Sequence, residues 1–158
     1  MMSLPLDPEA LGALSPRERV AALEAAIRAR PAADLITELP VRHHIANGVY
    51  VRELFIPKGT VGTGRIHNHD HVVILIGDIS VYDGAGGGAQ RFTGVNVFTS
   101  ARGAKRAAYA HEDTRFITAH RMSNPAQTDI AALEREFVTE TYEDFDKFMT
   151  TQTEATLT

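Results

Sequence analysis

Residues 41–121 limit the fold of this chain more than any other feature, because short β-branched and aromatic runs alternate there with turn signals and no helical periodicity intervenes. The turn signals are Asn47-Gly48, Pro57-Lys58-Gly59, Gly77-Asp78, Asp83-Gly84 with Gly86-Gly87-Gly88, and Ala101-Arg102-Gly103. Glycine and asparagine tolerate left-handed backbone, so such pairs reverse an extended chain. Between them lie candidate strands at 49–56, 61–67, 72–76, 79–82, 96–100, 105–109 and 115–120. Strands at this spacing predict an antiparallel sandwich or barrel, and the lack of intervening helices argues against a parallel sheet.

Helical signals flank this block. Ser15-Pro16-Arg17-Glu18 is a capping box with proline at the first helical position, followed by Val20, Leu23 and Ile27 on one face until Pro31. Asp7-Pro8-Glu9 offers a weaker start for a short turn through Leu11 and Leu14. After Asn124-Pro125 a second helix is expected, capped by Thr128, with Ile130, Leu133 and Phe137 on one face and Phe145 and Phe148 extending the seam. Residues 150–158 are polar and threonine-rich, a composition that frays. The chain thus divides into a helical extension (1–40), one mainly β domain (41–121) and a C-terminal helix with a polar tail (122–158).

Composition removes several function classes. With 16 basic and 20 acidic residues, dispersed, and a net charge of −4, there is no electrostatic footprint for nucleic acid or an anionic membrane. Cysteine is absent, which excludes disulfides, thiolate metal sites and thiol nucleophiles, so any metal must bind nitrogen or oxygen. The longest apolar run, 72–76, falls far short of the roughly 20 residues that span a bilayer. Residues 1–14 match neither a secretory signal nor a transit peptide, and the expected location is cytoplasmic. No Gly-x-Ser-x-Gly elbow is present, and the glycines at 84–88 precede no Lys-Ser/Thr pair, so they read as a hairpin loop.

The chemistry concentrates in Ile66-His67-Asn68-His69-Asp70-His71, three imidazoles in five positions. Alternate side chains of a strand share a face, so His67 with His69, or His69 with His71, present two nitrogens to one metal. All three in line do not, since positions 67 and 71 would stand roughly 13 Å apart at about 3.3 Å per residue, beyond the reach of bonds near 2.0–2.1 Å. A bend at Asn68 to Asp70 is needed to gather them, and it would also bring Asp70 inward as a carboxylate ligand or pocket residue. The competing reading is a histidine-rich polar turn. His120 follows Phe116 and Thr118 on one strand face and is the favoured partner from another strand. His111, beside Glu112 and Asp113, reads as a turn residue, and His43 and His44 as ordinary strand or surface residues. Arg106 and Tyr109 fall near the presumed barrel mouth, where they would fix an anionic or hydroxylated ligand; a surface ion pair and a core tyrosine are the alternatives.

On these residues the sequence resembles the cupin superfamily. Its first motif, a glycine, His-x-His, an acid and a closing glycine, is matched by Gly62, His67-x-His69 and Gly77, with Asp70 or His71 in place of the usual glutamate and a shortened gap before it. Its second motif departs further: Ala101-Arg102-Gly103 lacks the proline, Arg106 sits where the histidine would fall, and His111 and His120 are candidate substitutes. The stretch from His67 through Gly77 to His120, with its acidic helical tail, is also similar to small cupin-like proteins of tailed phages and prophages. The resemblance spans residues 41–121. It implies a single jelly-roll β-barrel with flanking helices, frequent dimerisation, and a divalent transition metal (zinc, iron, nickel, manganese or copper) in the barrel mouth. A small-molecule ligand there would be oxygenated, isomerised or sensed. The alternative is a non-catalytic block of an oligomeric assembly such as a phage particle, located in the virion, with the terminal segments gripping neighbours.

Overall fold

The structure, a computed structural model, describes residues 8–84 and 88–156. Residues 1–7, with Asp7 of the expected first start signal, the tip of the glycine loop and the last two residues lie outside them.

Among the described residues nine strands follow in order: β1 (Val41–Ala46), β2 (Val49–Ile56), β3 (Val61–Thr63), β4 (Ile66–His67), β5 (His71–Asp83), β6 (Gly88–Ser100), β7 (Arg106–Ala110), β8 (Thr114–Arg121) and β9 (Val138–Thr139). The main sheet runs β1-β2-β8-β5-β7-β3, with β6 also paired to β5, and β4 pairs β9 in a separate ribbon. All pairs are antiparallel. The helices are α1 (Pro8–Gly12), α2 (Pro16–Arg28), α3 (Ile130–Phe137) and α4 (Tyr142–Thr156).

β5 organises the sheet. The candidate strands at 72–76 and 79–82 are one 13-residue strand, and Gly77 between them is a change of partner instead of a turn. Val72 to Ile76 pair with β8, whereas Ile79 to Asp83 pair with β7. Gly77 has φ +145°, and a Cβ there would stand 2.4 Å from Thr114 Oγ1 and 2.8 Å from the Asp113 carbonyl, so only glycine allows the two partner strands to meet. The run expected at 61–67 is broken at Gly64-Arg65, and its halves join different sheets. β6 begins at Gly88, eight residues before the expected start, because its pairing with β5 carries polar residues such as Gln90 and Arg91 that show no apolar run.

Alternation along β5 places Val73, Leu75, Ile79 and Val81 on the concave face. Ile56, Leu75, Ile79, Val81 and Ala110 form the core, with Leu54, Phe92, Phe98 and Phe116 packed around it. The expected closed barrel is not formed: the described residues build a curled half-barrel in which β1 and β3, at the two ends of the sheet, do not pair with each other, and β6 pairs only β5. At the β2 end the concave side is closed by a helix in place of further strands, since α3 lays Leu133 and Phe137 on Tyr50 and Met122.

On the convex side, α2 covers the β7–β3 end. The Ser15–Glu18 capping box forms as expected, with the Ser15 N–H donating to Glu18 Oε2 at 2.7 Å. Val20 is fully buried, and Glu24 accepts from Thr63 Oγ1 at 3.2 Å and from the buried Lys105 at 2.8 Å. Two expectations at the C-terminus are corrected. Asp129, not Thr128, caps α3, its carboxylate accepting from Ala131 N at 3.0 Å. The threonine-rich tail is helical to Thr156, and there the hydroxyls of Thr150, Thr151, Thr153 and Thr156 donate to carbonyls four residues back. No helix among the described residues is long and apolar enough to cross a membrane.

Candidate metal centre

Strand register builds the site. β8 aligns with β5 so that Ala119 opposes Val72, and the next step places His120 beside His71. On the other side of β8, His120 opposes Tyr50, while His71 opposes Ser100 of β6. One concave row therefore reads Tyr50, His120, His71, Ser100 across four strands. His67 arrives from the short ribbon: the chain bends at Asn68 and His69, and the two ends of the bend bring the His67 and His71 rings to a centroid distance of 4.1 Å.

The bend is held from outside its own segment. Asn68 is buried; its backbone N–H donates to the Phe137 carbonyl at 2.8 Å and its side-chain amide to the Glu136 carbonyl at 3.1 Å. Thr139 Oγ1 donates to Asn68 Oδ1 at 3.3 Å, the Gly103 N–H to the His67 carbonyl at 2.8 Å, and the Arg102 N–H to Asp70 Oδ1 at 2.9 Å. Nothing in the histidine spacing announces this role of Asn68; only its position inside the required bend pointed there.

His67, His71 and His120 each bring a ring nitrogen within 4.8 Å of the other two. A metal bound at 2.0–2.1 Å to each holds such nitrogens no more than about 4.2 Å apart, a distance that small ring rotations reach. The three rings lie nearly parallel, His120 at 4.9 Å from His71 and 5.5 Å from His67. Behind His120 stand Phe137 at 4.6 Å and Tyr50 at 6.1 Å.

The electrostatics favour neutral imidazoles. Burial first, then the neighbouring histidines and the guanidiniums of Arg106 and Arg52, holds His67 well below the usual 6.5. Burial likewise lowers His71, against the partial opposition of its bond to the His69 carbonyl. For His120 burial and the nearby histidines bring the value down to about 3. Neutral imidazole is the form that binds a metal. The hydrogen bonds agree: His71 Nδ1 donates to the His69 carbonyl at 2.9 Å, which leaves its Nε2 as a bare acceptor. That Nε2, His67 Nδ1 and both nitrogens of His120 are buried without a partner among the described residues, as is Thr118 Oγ1 one row below. Orphaned buried polar atoms are costly, and a cation shared by the three rings would satisfy one nitrogen of each. The residues fit a metal ion.

The remaining sequence candidates lie as follows. His69 packs edge-on against Phe148 at 5.5 Å and Phe137 at 5.9 Å, apart from the three. Asp70 points to the Arg102 backbone. Arg106 is inside, opposite Asp83, and its Nη2 donates to Ser100 Oγ at 2.7 Å and Asp83 Oδ2 at 3.2 Å, which places a buried cation next to the row that holds His71. Tyr109 opposes Ser80, whose side chain is on the convex face, and meets His111 edge-on at 4.8 Å. His111 is bonded to Ser80 Oγ at 2.8 Å, His43 to the Tyr50 hydroxyl at 2.7 Å, and His44 to Glu53 at 3.0 Å. Tyr50 and Phe137, walls of the site, were not among the sequence candidates; Phe137 had been read only as part of a helix stripe.

No family model matches the chain, and no curated protein matches it significantly. Solved structures similar to it include ectoine synthase from P. lautus, 18% identical over 68% of this chain and 80% of that one, with a TM-score of 0.48. A cupin domain from Bordetella pertussis Tohama I is 21% identical, over 54% of this chain and 94% of that one, at 0.43. A cupin-2 domain containing protein from Shewanella frigidimarina NCIMB 400 is 10% identical, over 57% and 87%, at 0.42. These are likenesses in the path of the chain and carry no chemistry across.

Proposed function

We propose that this is a metal-binding protein of cupin type, in which His67, His71 and His120 hold one divalent transition metal and a small molecule binds beside it. The observation that carries the reading is the convergence of three buried imidazoles whose facing nitrogens have no protein partner, one of them fixed as an acceptor by a backbone carbonyl. When bound, the metal supplies a Lewis acid for an oxygen-donor ligand, the chemistry that an oxygenase or isomerase needs.

The protein's own contributions follow from the geometry. His71 Nδ1–H on the His69 carbonyl sets ring orientation and basicity. Phe137 and Tyr50 exclude water from the α3 side, and the Tyr50 hydroxyl, raised to about 12 by burial, stays protonated and bonded to His43. The hydroxyl of Thr118, only 4% exposed and otherwise unbonded, is free to donate to a ligand oxygen. All three metal ligands are neutral, so the ion keeps its full charge, while Arg106 is already matched by Asp83; an anionic ligand, such as a small carboxylate, fits that balance.

Elemental analysis of protein purified without a histidine tag tests the reading. About one metal ion per chain is expected in the parent, and His71→Ala or His120→Ala should lower affinity at least about 100-fold, more than a change behind the ligands costs. Trace metal, equal in parent and variants, would overturn it.

A further inference from the structure

A cleft of about 390 Å³ opens where four segments meet: the start of α2 at Pro16 and Arg17, the end of β5 at Gly84, the turn at Arg102 and Gly103, and the first turn of α4 at Phe145. Two glycines shape it. Gly103 has φ +82°, and a Cβ on it would stand 3.1 Å from the Phe145 ring; one on Gly84 would stand 2.8 Å from the Lys105 carbonyl. Both turns therefore lie directly against what is behind them, and the space in front stays open. The volume is that of a small-molecule site, for which roughly 300–1,000 Å³ is usual.

Charge selects the occupant. The lining holds two arginines and no acid, in a chain whose net charge is −4. Arg102 is exposed, and its guanidinium has no hydrogen-bond or ion-pair partner among the described residues; only its backbone N–H is engaged, on Asp70. Arg17 is held by stacking, its guanidinium carbon 4.1 Å from the centre of the Tyr142 ring. The ion pair of Arg17 with Asp146, at 3.5 Å, joins two exposed groups and contributes little. Pro16 and Phe145 are the apolar walls.

We propose that this cleft binds a small organic anion, with its carboxylate or phosphate on Arg102 and Arg17 and its apolar body against Pro16 and Phe145. A guanidinium presents paired N–H donors that match either head group. The floor of the cleft connects this ligand to the histidine bend. The Arg102 N–H is bonded to Asp70 Oδ1 at 2.9 Å, the Gly103 N–H to the His67 carbonyl at 2.8 Å, and the Ala104 carbonyl accepts from the His67 N–H at 3.3 Å. An anion that steadies residues 102 and 103 thereby steadies both ends of the bend. That the bend then serves a metal rests on the reading above; the binding and the steadying do not.

Calorimetric titration of the full chain with benzoate and with phenyl phosphate tests the proposal. The tighter of the two names the head group and should show a Kd of about 1 mM or below. Benzyl alcohol, a similar ring without the charge, should bind at least about 10-fold more weakly. Arg102→Ala should weaken anion binding about 10-fold or more, and Arg17→Ala added to it should abolish binding, with circular dichroism unchanged because both side chains are exposed. Amide exchange reads the coupling: if opening of the turn releases the anion, a ligand concentration of about ten times Kd should slow exchange at Gly103 about 10-fold. No binding at about 10 mM, or binding that survives both arginine changes, would overturn the site. Binding that leaves exchange at Gly103 unchanged would overturn the coupling. The metal content of the parent bears on neither result, so the two readings fail separately.

Discussion

The interior row of the sheet and its periphery both carry histidines, and they are built on opposite terms. His43, His44 and His111 each have a hydrogen-bonded side-chain partner, Tyr50, Glu53 and Ser80. His67, His71 and His120 have one another, an aromatic wall, and four ring nitrogens without a partner among the described residues. A histidine kept for structure is satisfied where it stands; these three are satisfied only by something added. The contrast assigns function by accounting for hydrogen bonds, and it holds on the two faces of single strands, with Ser80 and His71 both on β5.

The largest expected effect comes from removing what only the interior group has. Phe137→Ala deletes a fully buried ring that stacks on His120 and Tyr50, and should cost about 3–5 kcal/mol in denaturant titration. It should also weaken metal retention, whereas a loss of stability with full retention would separate the wall from the site. Acid comes next. The unfolded imidazoles protonate near 6.5, while burial holds folded His67 and His71 below that and His120 at about 3. The unfolded chain therefore binds more protons in this window. Stability of the metal-free protein should be complete above pH 6.5 and fall as pH drops toward 3. His120→Leu should flatten that slope, and an unchanged slope would show that the titrating groups lie elsewhere. The smallest effect belongs to the periphery. His111→Ala loses one bond to Ser80 and should cost about 1 kcal/mol with metal content unaltered; altered content would erase the distinction between the two groups.

Much of the architecture was legible because local signals agreed with the global fold. Val49–Ile56 is bracketed by the turn signals Asn47-Gly48 and Pro57-Lys58-Gly59 and forms at the expected limits, and the Ser15 capping box forms as written. β1 was not among the candidate strands because Val-Arg-His-His-Ile-Ala is half polar and mostly exposed and shows no apolar run. Gly77-Asp78 read as a turn because sequence cannot distinguish a glycine that reverses the chain from one that lets another strand approach. In the site, the impossibility of reaching from 67 to 71 along a straight strand required a bend, and the bend exists at Asn68 and His69. Which histidine leaves the group was not readable, because His69 is turned away by Phe137 and Phe148, more than sixty positions downstream. His120 beside His71 is a matter of strand register, set by residues that have no part in the chemistry.

The anchoring of Asn68 by the Glu136 carbonyl, 68 positions later in the chain, has a temporal consequence. A nascent polypeptide that has emerged only as far as β8 already possesses all three imidazoles and the bonds from residues 102–104 to the bend, yet it lacks those that α3 and β9 give to Asn68. The final aim of His67 is then set late in maturation, and a product ending before α3 would carry the three rings on a looser bend.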